Sequence, residues 1–343
     1  MTLLLRRTTL GLLAAGTIAG DSRGQSCELV DSVGRRVVAL ARAARVLAAG
    51  PPAAVLLYAL APDAMVGWVA PPSEQAKPFL LPAVRDLPAS GRLTGRGDAV
   101  DVDALLAQNP DFILDFGAVS EPYVRLAEKV QTATHLPYAL IDGRLDATAA
   151  ALRLAGDLLG RRERAAALAD YASETSAMVD TVLARVPAAL RPRVYLARGP
   201  EGLQTAVRSS GPSEVLDRAG AINVADGRGG ALEVSLDQIA AWDPDVIVAL
   251  DPAFHAAARS KPEWRRLRAV SANRFHLAPS LPWGWLGEPP SINRLIGLRW
   301  SLALLYPAES QLDLRAEARA FHRLFYGVAP SEVDLTRLLA GTI

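Results

Sequence analysis

Hydrophobic residues in this chain alternate between short apolar runs and helix-like spacing, and two distant segments repeat the same order of both. The segments read DVDALLAQNPDFIL at 101–114 and SLDQIAAWDPDVIV at 235–248. Each predicts a short helix, a Pro-Asp turn that ends the helix, and an apolar strand of the kind that is buried in a sheet. A duplicated α/β unit indicates two similar lobes with a cleft between them.

The same patterns predict the elements around each repeat. The first lobe is expected to contain a hairpin over 28–38, a strand at 45–49, a helix from 53 to 60, a strand at 65–69, a helix over 121–132 and a strand at 138–141. The second lobe is expected to contain a strand at 193–197, helices over 212–219 and 262–270, and a strand at 274–277. Two helices, 290–305 and 312–325, complete the chain.

Nearly continuous helical spacing runs between the lobes, over 145–186, and Gly160 divides it. The second part is long enough, at roughly 39 Å for 1.5 Å per residue, to cross a whole domain. Such a helix predicts a strut that joins the lobes, whereas two ordinary packed helices inside one domain are the alternative. The predicted fold class is therefore α/β, with two α/β lobes joined by a long rigid helix.

The first residues differ from the rest of the chain. Arg6 and Arg7 precede an apolar run, 10–19, that is about half the length needed to span a bilayer. This pattern predicts an export signal, with the arginine pair favouring the twin-arginine route and a periplasmic location. The predicted division is 1–26 export signal, 27–142 first lobe, 143–188 connecting helices, 189–308 second lobe, and 309–343 C-terminal helix and tail.

Composition excludes several function classes. The formal net charge is +1, from 37 Lys+Arg and 36 Asp+Glu, so no basic excess points to nucleic acid. Cys27 is the one cysteine, which excludes an intrachain disulfide and a Cys-rich metal site, and Gly24–Ser26 lacks the aliphatic residue expected before a lipidated cysteine. Hydrolase, P-loop and dinucleotide motifs are absent, so we expect no enzyme and no cofactor, with an exported hydrolase as an alternative.

The ordered set of these features resembles the periplasmic binding proteins of the iron-siderophore and cobalamin class. The resemblance covers about residues 28–307 and depends on the phrase VDSVGRRV at 30–37, on segment 45–68, on both repeats and on segment 264–277. It implies capture of a metal chelate in the cleft between the lobes, by a monomer that closes only slightly. It also implies delivery to an ABC permease and its ATPase at the inner membrane.

Such proteins usually present one acidic residue per lobe to arginines of the permease. The resemblance places these residues at Asp103 and Asp237, near the starts of the two repeat helices. The family commonly has Glu at this place, and Asp is one methylene shorter. Acids at a helix start also favour the helix dipole by about 0.3–1 kcal/mol, which is the structural alternative.

Ligand contacts are expected from loops at the carboxyl ends of strands, where open α/β sheets bind ligands. Two tryptophans separated by one glycine, in a loop without helical or strand periodicity, favour a large or flat organic ligand, and arginines suit an anionic group. Ser209 and Ser210 could add hydroxyl donors. The predicted ligand-binding residues are Pro52, Trp68, Arg96, Phe116, Arg198, Trp283 and Trp285.

Two other ligand classes are alternatives to a chelate. A free metal would need converging histidines, but none of His135, His255, His276 and His322 lies in the predicted ligand loops. An oxyanion such as molybdate or tungstate is the stronger alternative, because backbone N–H groups of the Gly50–Pro52 and Gly199–Pro200 loops could hold it.

Overall fold

The computed structural model of the chain describes residues 27–94, 103, 106–227 and 229–342. It opens with an antiparallel hairpin of β1 (Cys27–Val30) and β2 (Arg36–Ala39), as the sequence predicts. A parallel three-stranded sheet follows, in the order β3-β4-β5, and its strands are β3 (Val46–Ala48), β4 (Phe112–Gly117) and β5 (Tyr138–Asp142). These apolar strands are buried almost throughout, which is typical of a parallel sheet covered on both faces.

A second parallel sheet has the order β11-β10-β6-β8. Its strands, together with the small antiparallel pair β7 and β9, are β6 (Arg193–Ala197), β7 (Gln204–Thr205), β8 (Ile222–Asn223), β9 (Leu232–Glu233), β10 (Val246–Ala249) and β11 (Phe275–Leu277). In each lobe the strand of the repeat lies at the centre, because β4 and β10 each pair with a strand on both sides.

Helices cover both sheets and join them. The helices before the second sheet are α1 (Pro51–Leu60), α2 (Glu121–Thr134), α3 (Thr148–Leu159) and α4 (Arg162–Arg185). Those within the second lobe are α5 (Glu214–Arg218), α6 (Leu236–Trp242), α7 (Pro252–Ala258), α8 (Pro262–Arg265) and α9 (Arg268–Ser271). The closing helices are α10 (Arg294–Leu305), α11 (Pro307–Ser310), α12 (Leu314–Phe321) and α13 (Glu332–Leu338).

The long helix predicted between the lobes is α4, which has 24 residues. Gly160 ends α3 in the left-handed conformation, with φ of 66°, which glycine adopts without steric cost. One continuous apolar core includes buried residues of β4, α3, α4, α10 and one face of β6 and β10. Since this core is shared by both sheets, relative motion of the lobes has to disturb packed side chains.

Three predicted elements differ from the structure. The strand at 65–69 is wrong, because only single bridges join Met65 to Val46 and Trp68 to Ala89. The helix at 262–270 is two short helices, α8 and α9. The last predicted helix, 312–325, corresponds to α12, which ends at Phe321, and to a π-helical turn that follows it, His322–Tyr326.

The helix of the first repeat lies largely outside the described residues. Of its positions, Asp103 and Leu106 are described, and both are helical. Among all described residues, no helix combines the length and the apolar character needed to cross a membrane.

Candidate ligand-binding site

A cavity of about 570 Å³ lies between the lobes, at the carboxyl ends of β4 and β5. Its first wall comes from the loops after these strands, and its second wall comes from segment 209–218 of the second lobe. The start of α10 closes it. The lining residues are Gly117, Ala118, Gly143, Arg144, Leu145, Asp146, Ser209, Ser210, Gly211, Glu214, Asp217, Arg218, Pro290 and Arg294.

The first wall combines a close approach of two glycines with the side chains of Arg144, Leu145 and Asp146. Gly143 N–H donates to the Gly117 carbonyl over 2.8 Å, which continues the pairing of β4 and β5 beyond the strands. A Cβ on Gly143 would lie 2.5 Å from Gly117 Cα, so only glycine fits this approach. This wall therefore contributes shape and backbone groups to the cavity.

The second wall is made of polar side chains that order one another. Asp217 accepts a 2.7 Å hydrogen bond from Ser209 N–H and a 2.6 Å bond from the Ser213 hydroxyl. Ser209 is held in the left-handed region, with φ of 62°, which is uncommon for a residue with a side chain. The Ser210 hydroxyl donates to the Val207 carbonyl. These bonds fix the loop that faces the first wall.

An ion pair between the buried Arg294 and the partly buried Glu214 links the two walls. Arg294 is 2% exposed, and its guanidinium lies 2.5 Å from Glu214 and donates to the Gly143 carbonyl of the first lobe. Glu214 also accepts from Leu145 N–H over 3.0 Å. Burial lowers the pKa of Arg294 from its usual value, and the attraction of Glu214 opposes that shift. Separating the lobes would break charge-assisted hydrogen bonds on both sides.

The other arginines of the cavity are also paired. Arg144 lies 2.8 Å from Asp142, and Arg218 lies 2.7 Å from Asp180. With Arg294 held by Glu214, each cation of the cavity wall has a carboxylate partner. The wall therefore has polar groups but little free charge for a small, strongly charged ion.

A buried carboxyl lies behind the first wall. Asp115 of β4 is 3% exposed and accepts a 3.0 Å hydrogen bond from the Tyr138 hydroxyl. Burial raises its pKa to about 6, and the hydrogen bond from Tyr138 opposes part of that rise. Thr94 lies 3.5 Å from the other carboxyl oxygen. The carboxyl thus keeps its proton to a higher pH than a free aspartate does while it remains bonded inside the lobe.

Three of the predicted contact residues are core residues. Trp68, Phe116 and Trp285 are 2%, 1% and 0% exposed, and none lines the cavity. Trp68 donates to the Val84 carbonyl, and Trp285 lies beneath α10, where its carbonyl oxygen would be 2.0 Å from a Cβ on Gly297. The loop folds back under a helix, a long-range contact that periodicity in the sequence does not report.

Trp283 lies between the lobes and is partly exposed. Its ring packs against those of Tyr58, Trp68 and Tyr326, with centroid distances of 5.5, 5.9 and 5.0 Å. The Tyr58 hydroxyl donates to the Tyr326 carbonyl, so the end of the chain is tied to α1 at the same cluster. Trp283 thus joins the second-lobe loop to the first lobe.

Two further predicted residues lie at the boundary between the lobes. The Pro52 carbonyl accepts a 2.8 Å bond from the Ser291 hydroxyl. Arg198 lies 3.7 Å from Glu288, a longer separation than in the pairs of the cavity. Neither residue lines the cavity, and Arg96 lies outside the described residues.

The two predicted docking acids are both exposed. Asp237 lies 2.7 Å from Arg266 and has a side chain that is 88% exposed. Asp103 is described, but its immediate neighbours 101, 102, 104 and 105 are not.

Several cavity residues were missed in the sequence. The loop 143–146 follows a strand and could have been included by the same rule as the other loops. Arg294 had a different signal, because it is one of two arginines in a mainly apolar helix, and a buried charge requires a partner. Among the described residues, no cluster of His, Cys, Asp and Glu could hold a metal ion.

Comparisons with known proteins agree with this architecture. The family model described as periplasmic binding protein matches residues 53–281. Among curated proteins, no match is found. A solved ABC transporter solute binding protein from Sulfurospirillum deleyianum has 27% identity and a TM-score of 0.83, over 91% of this chain and 98% of that chain.

More distant structures share the fold. The molybdate periplasmic binding protein MolA of Haemophilus influenzae has 21% identity and a TM-score of 0.71, over 89% of this chain and 99% of that chain. A periplasmic heme binding protein from Pseudomonas aeruginosa has 24% identity and a TM-score of 0.56, over 78% and 94%. The neighbours are binding proteins of transport systems rather than enzymes. The chain therefore belongs to the periplasmic binding protein family and is a solute-binding component of an ABC transporter.

Proposed function

We propose that this protein binds a metal chelate, of the ferric siderophore or cobalamin type, in the cavity between its lobes. The observation that carries the proposal is the size of this cavity, about 570 Å³, which lies within the range of sites for organic ligands. Because residues of both lobes line the cavity, one ligand can contact both lobes at once, and its binding would hold the lobes together.

The charge of the cavity supports the same ligand class. Its arginines are engaged by Asp142, Asp180 and Glu214, so a bound ligand would meet hydroxyls, backbone groups and compensated ion pairs. A chelate hides the charge of its metal inside an organic shell and presents polar and apolar atoms outside. Such a surface suits a wall that is polar but has little free charge.

An oxyanion is the second candidate. It is favoured by the hydroxyl of Ser209 and by the fold shared with MolA, which binds molybdate, whereas the Ser210 hydroxyl already donates to the Val207 carbonyl. The start of α1 offers it little, because Pro51 and Pro52 remove two of the N–H groups that a helix normally presents to an anion. For this reason we propose the chelate first.

The proposal includes the path to and from the cleft. Arg6, Arg7 and the apolar run after them support export to the periplasm by the twin-arginine route. A monomer would then present Asp103 and Asp237 to the permease. Since Asp237 is paired with Arg266, docking through it requires a permease arginine to replace or share this partner.

Native mass spectrometry of the purified protein tests the ligand class. The protein is incubated separately with ferric siderophores, cobalamin, heme, molybdate and tungstate. A retained 1:1 adduct with a siderophore or cobalamin, released unchanged on unfolding, is the expected result. Retention of an oxyanion alone would favour the second candidate, and conversion of a compound to a new product would contradict a pure binding role.

A further inference from the structure

The second lobe has an exposed basic surface on the side away from the cavity. It lies at the amino ends of β6, β10 and β11, whereas ligand loops follow the carboxyl ends of strands. We call it the basic end face and define it by Leu190, Arg259, Arg265, Arg268 and Arg274.

Positive charge on this face exceeds the carboxylates available to it. Segment 259–274 contains five arginines, one lysine and one glutamate. Arg268 is engaged by Asp243 and Asp245, and Arg266 by Asp237. Arg265 and Arg274, by contrast, form no ion pair with any carboxylate of the described part of the chain.

Two depressions of about 320 Å³ each divide the face. The first lies between Arg259 and Arg265, beside Asn273. The second lies between Arg268 and Arg274, beside Leu190. The two are adjacent, because Ser271 and Asn273 line the first whereas Ala272 and Arg274 line the second. In the first depression, a guanidinium on each side can bind a phosphate group through paired hydrogen bonds. In the second, Arg268 is held by Asp243 and Asp245, so Arg274 is the guanidinium without an ion pair there.

Apolar residues protrude beside these cations. Segment 187–190, with the sequence PAAL, is exposed at every residue, and Leu190 is 72% exposed. An apolar side chain beside cations suits the boundary between lipid headgroups and acyl chains.

The fold does not require this charge. In the first lobe, α2 lies between β4 and β5, as α7, α8 and α9 lie between β10 and β11. That helix contains two acidic and two basic residues, Glu121, Glu128, Arg125 and Lys129. The cationic excess of segment 259–274 therefore has no counterpart in α2, the helix at the equivalent place in the first lobe.

We propose that the basic end face binds an anionic phospholipid surface. The arginines would bind phosphate groups, and Leu190 would enter the headgroup region. A free phosphate would explain the arginines but not the exposed leucine, so the lipid surface is the occupant that accounts for both. Because the face lies at the opposite ends of the strands from the cavity, a protein held this way keeps its cleft open to solvent.

Vesicle co-sedimentation tests the proposal. The protein is mixed with vesicles of phosphatidylcholine, with or without one part in four of phosphatidylglycerol. We compare it with the double variant Arg265→Ala/Arg274→Ala, with Leu190→Ser, and with a control double variant, Arg125→Ala/Lys129→Ala, on α2. All carry the same N-terminal segment, so differences between them report on the face.

Binding to the anionic vesicles is expected to fall about 30-fold in the Arg265→Ala/Arg274→Ala variant, since each cation near such a surface contributes about fivefold. Leu190→Ser should bind these vesicles about fivefold more weakly than the parent, and the control Arg125→Ala/Lys129→Ala should bind them as the parent does. High salt should weaken binding of the parent. Equal binding by all variants would overturn the proposal, as would binding of inorganic polyphosphate by a parent that ignores both kinds of vesicle.

Ligand capture is measured independently by native mass spectrometry, so failure of the lipid proposal would leave the cleft assignment unaffected. Circular dichroism of each variant establishes that it is folded. The exchanged side chains are exposed or lack ion pairs, so the thermal midpoint should not change.

Discussion

The two walls of the cavity differ in what they are made of. The first is built on the close approach of Gly143 and Gly117, beside the side chains of Arg144, Leu145 and Asp146, whereas the second includes serine and carboxylate side chains bonded to one another. A backbone wall is hard to vary without changing the fold, but side chains can be exchanged singly. We infer that the first wall sets the shape of the site and that the second sets its selectivity.

The largest expected effect comes from breaking the link between the walls. Glu214→Ala leaves Arg294 charged and buried without its carboxylate, which should lower the free energy of unfolding by about 3 kcal/mol. Asp180→Ala is the matched control, because it breaks the exposed pair with Arg218 and should cost less than about 1 kcal/mol. Urea unfolding measures both. Equal losses would mean that the buried pair does not join the lobes.

The pH dependence of stability tests the first wall alone. With a pKa raised to about 6, Asp115 keeps its proton in the folded protein at pH values where the unfolded chain has lost it. The protonated carboxyl therefore adds most to the free energy of unfolding below about pH 4, and this stabilisation is lost as the pH rises to about 6. The free energy of unfolding of Asp115→Asn, measured relative to the parent, should therefore be about 2 kcal/mol higher at pH 7.5 than at pH 4.

Urea unfolding at the two pH values measures this difference. The asparagine keeps an oxygen that can accept from Tyr138, so the comparison isolates the charge. A pH-independent difference between parent and variant would contradict a raised pKa for Asp115.

The next largest difference is expected when one methyl group is added to each wall by a glycine-to-alanine substitution. Gly143→Ala pushes a Cβ against the Gly117 backbone and should cost about 2 kcal/mol of stability. Gly211→Ala, on the second wall, has open space around its Cβ and should leave the thermal midpoint unchanged. Tolerance of alanine at Gly143 would show that the first wall adapts, against our interpretation.

The smallest effect should come from one hydroxyl of the second wall. Ser210→Ala removes a polar group from the cavity without affecting the pair of Arg294 and Glu214. A ligand that donates to this hydroxyl should bind about tenfold more weakly, which is about 1.4 kcal/mol. The free energy of unfolding should fall by no more than about 1 kcal/mol, because the Val207 carbonyl keeps its bond from Ser213. Isothermal titration with the ligand found by mass spectrometry measures this. A loss of stability without a loss of affinity would assign Ser210 a structural role only.

The sequence predicted the elements of the fold better than the site. Apolar runs such as 112–114 and 246–248 depend on local pattern, and they are the central strands β4 and β10. The site depends on where loops fold. The local sequence gives no reason for Trp285 to be buried, but its loop passes beneath α10, and the Trp285 side chain is completely buried there. Arg294 lies in a mainly apolar helix that also contains Arg299, and its buried charge required a partner, which is Glu214.

One measurement tests the cleft assignment most directly. Gly211→Trp places a large ring in the cavity without backbone strain, because no atom lies within 4 Å of a Cβ at that position. Gly230→Trp, at an exposed position of the same lobe with equally open surroundings, is the control. In native mass spectrometry with the chelate retained by the parent, Gly211→Trp should lose the 1:1 adduct and Gly230→Trp should keep it. An adduct retained equally by both folded variants would contradict the cavity between the lobes as the binding site.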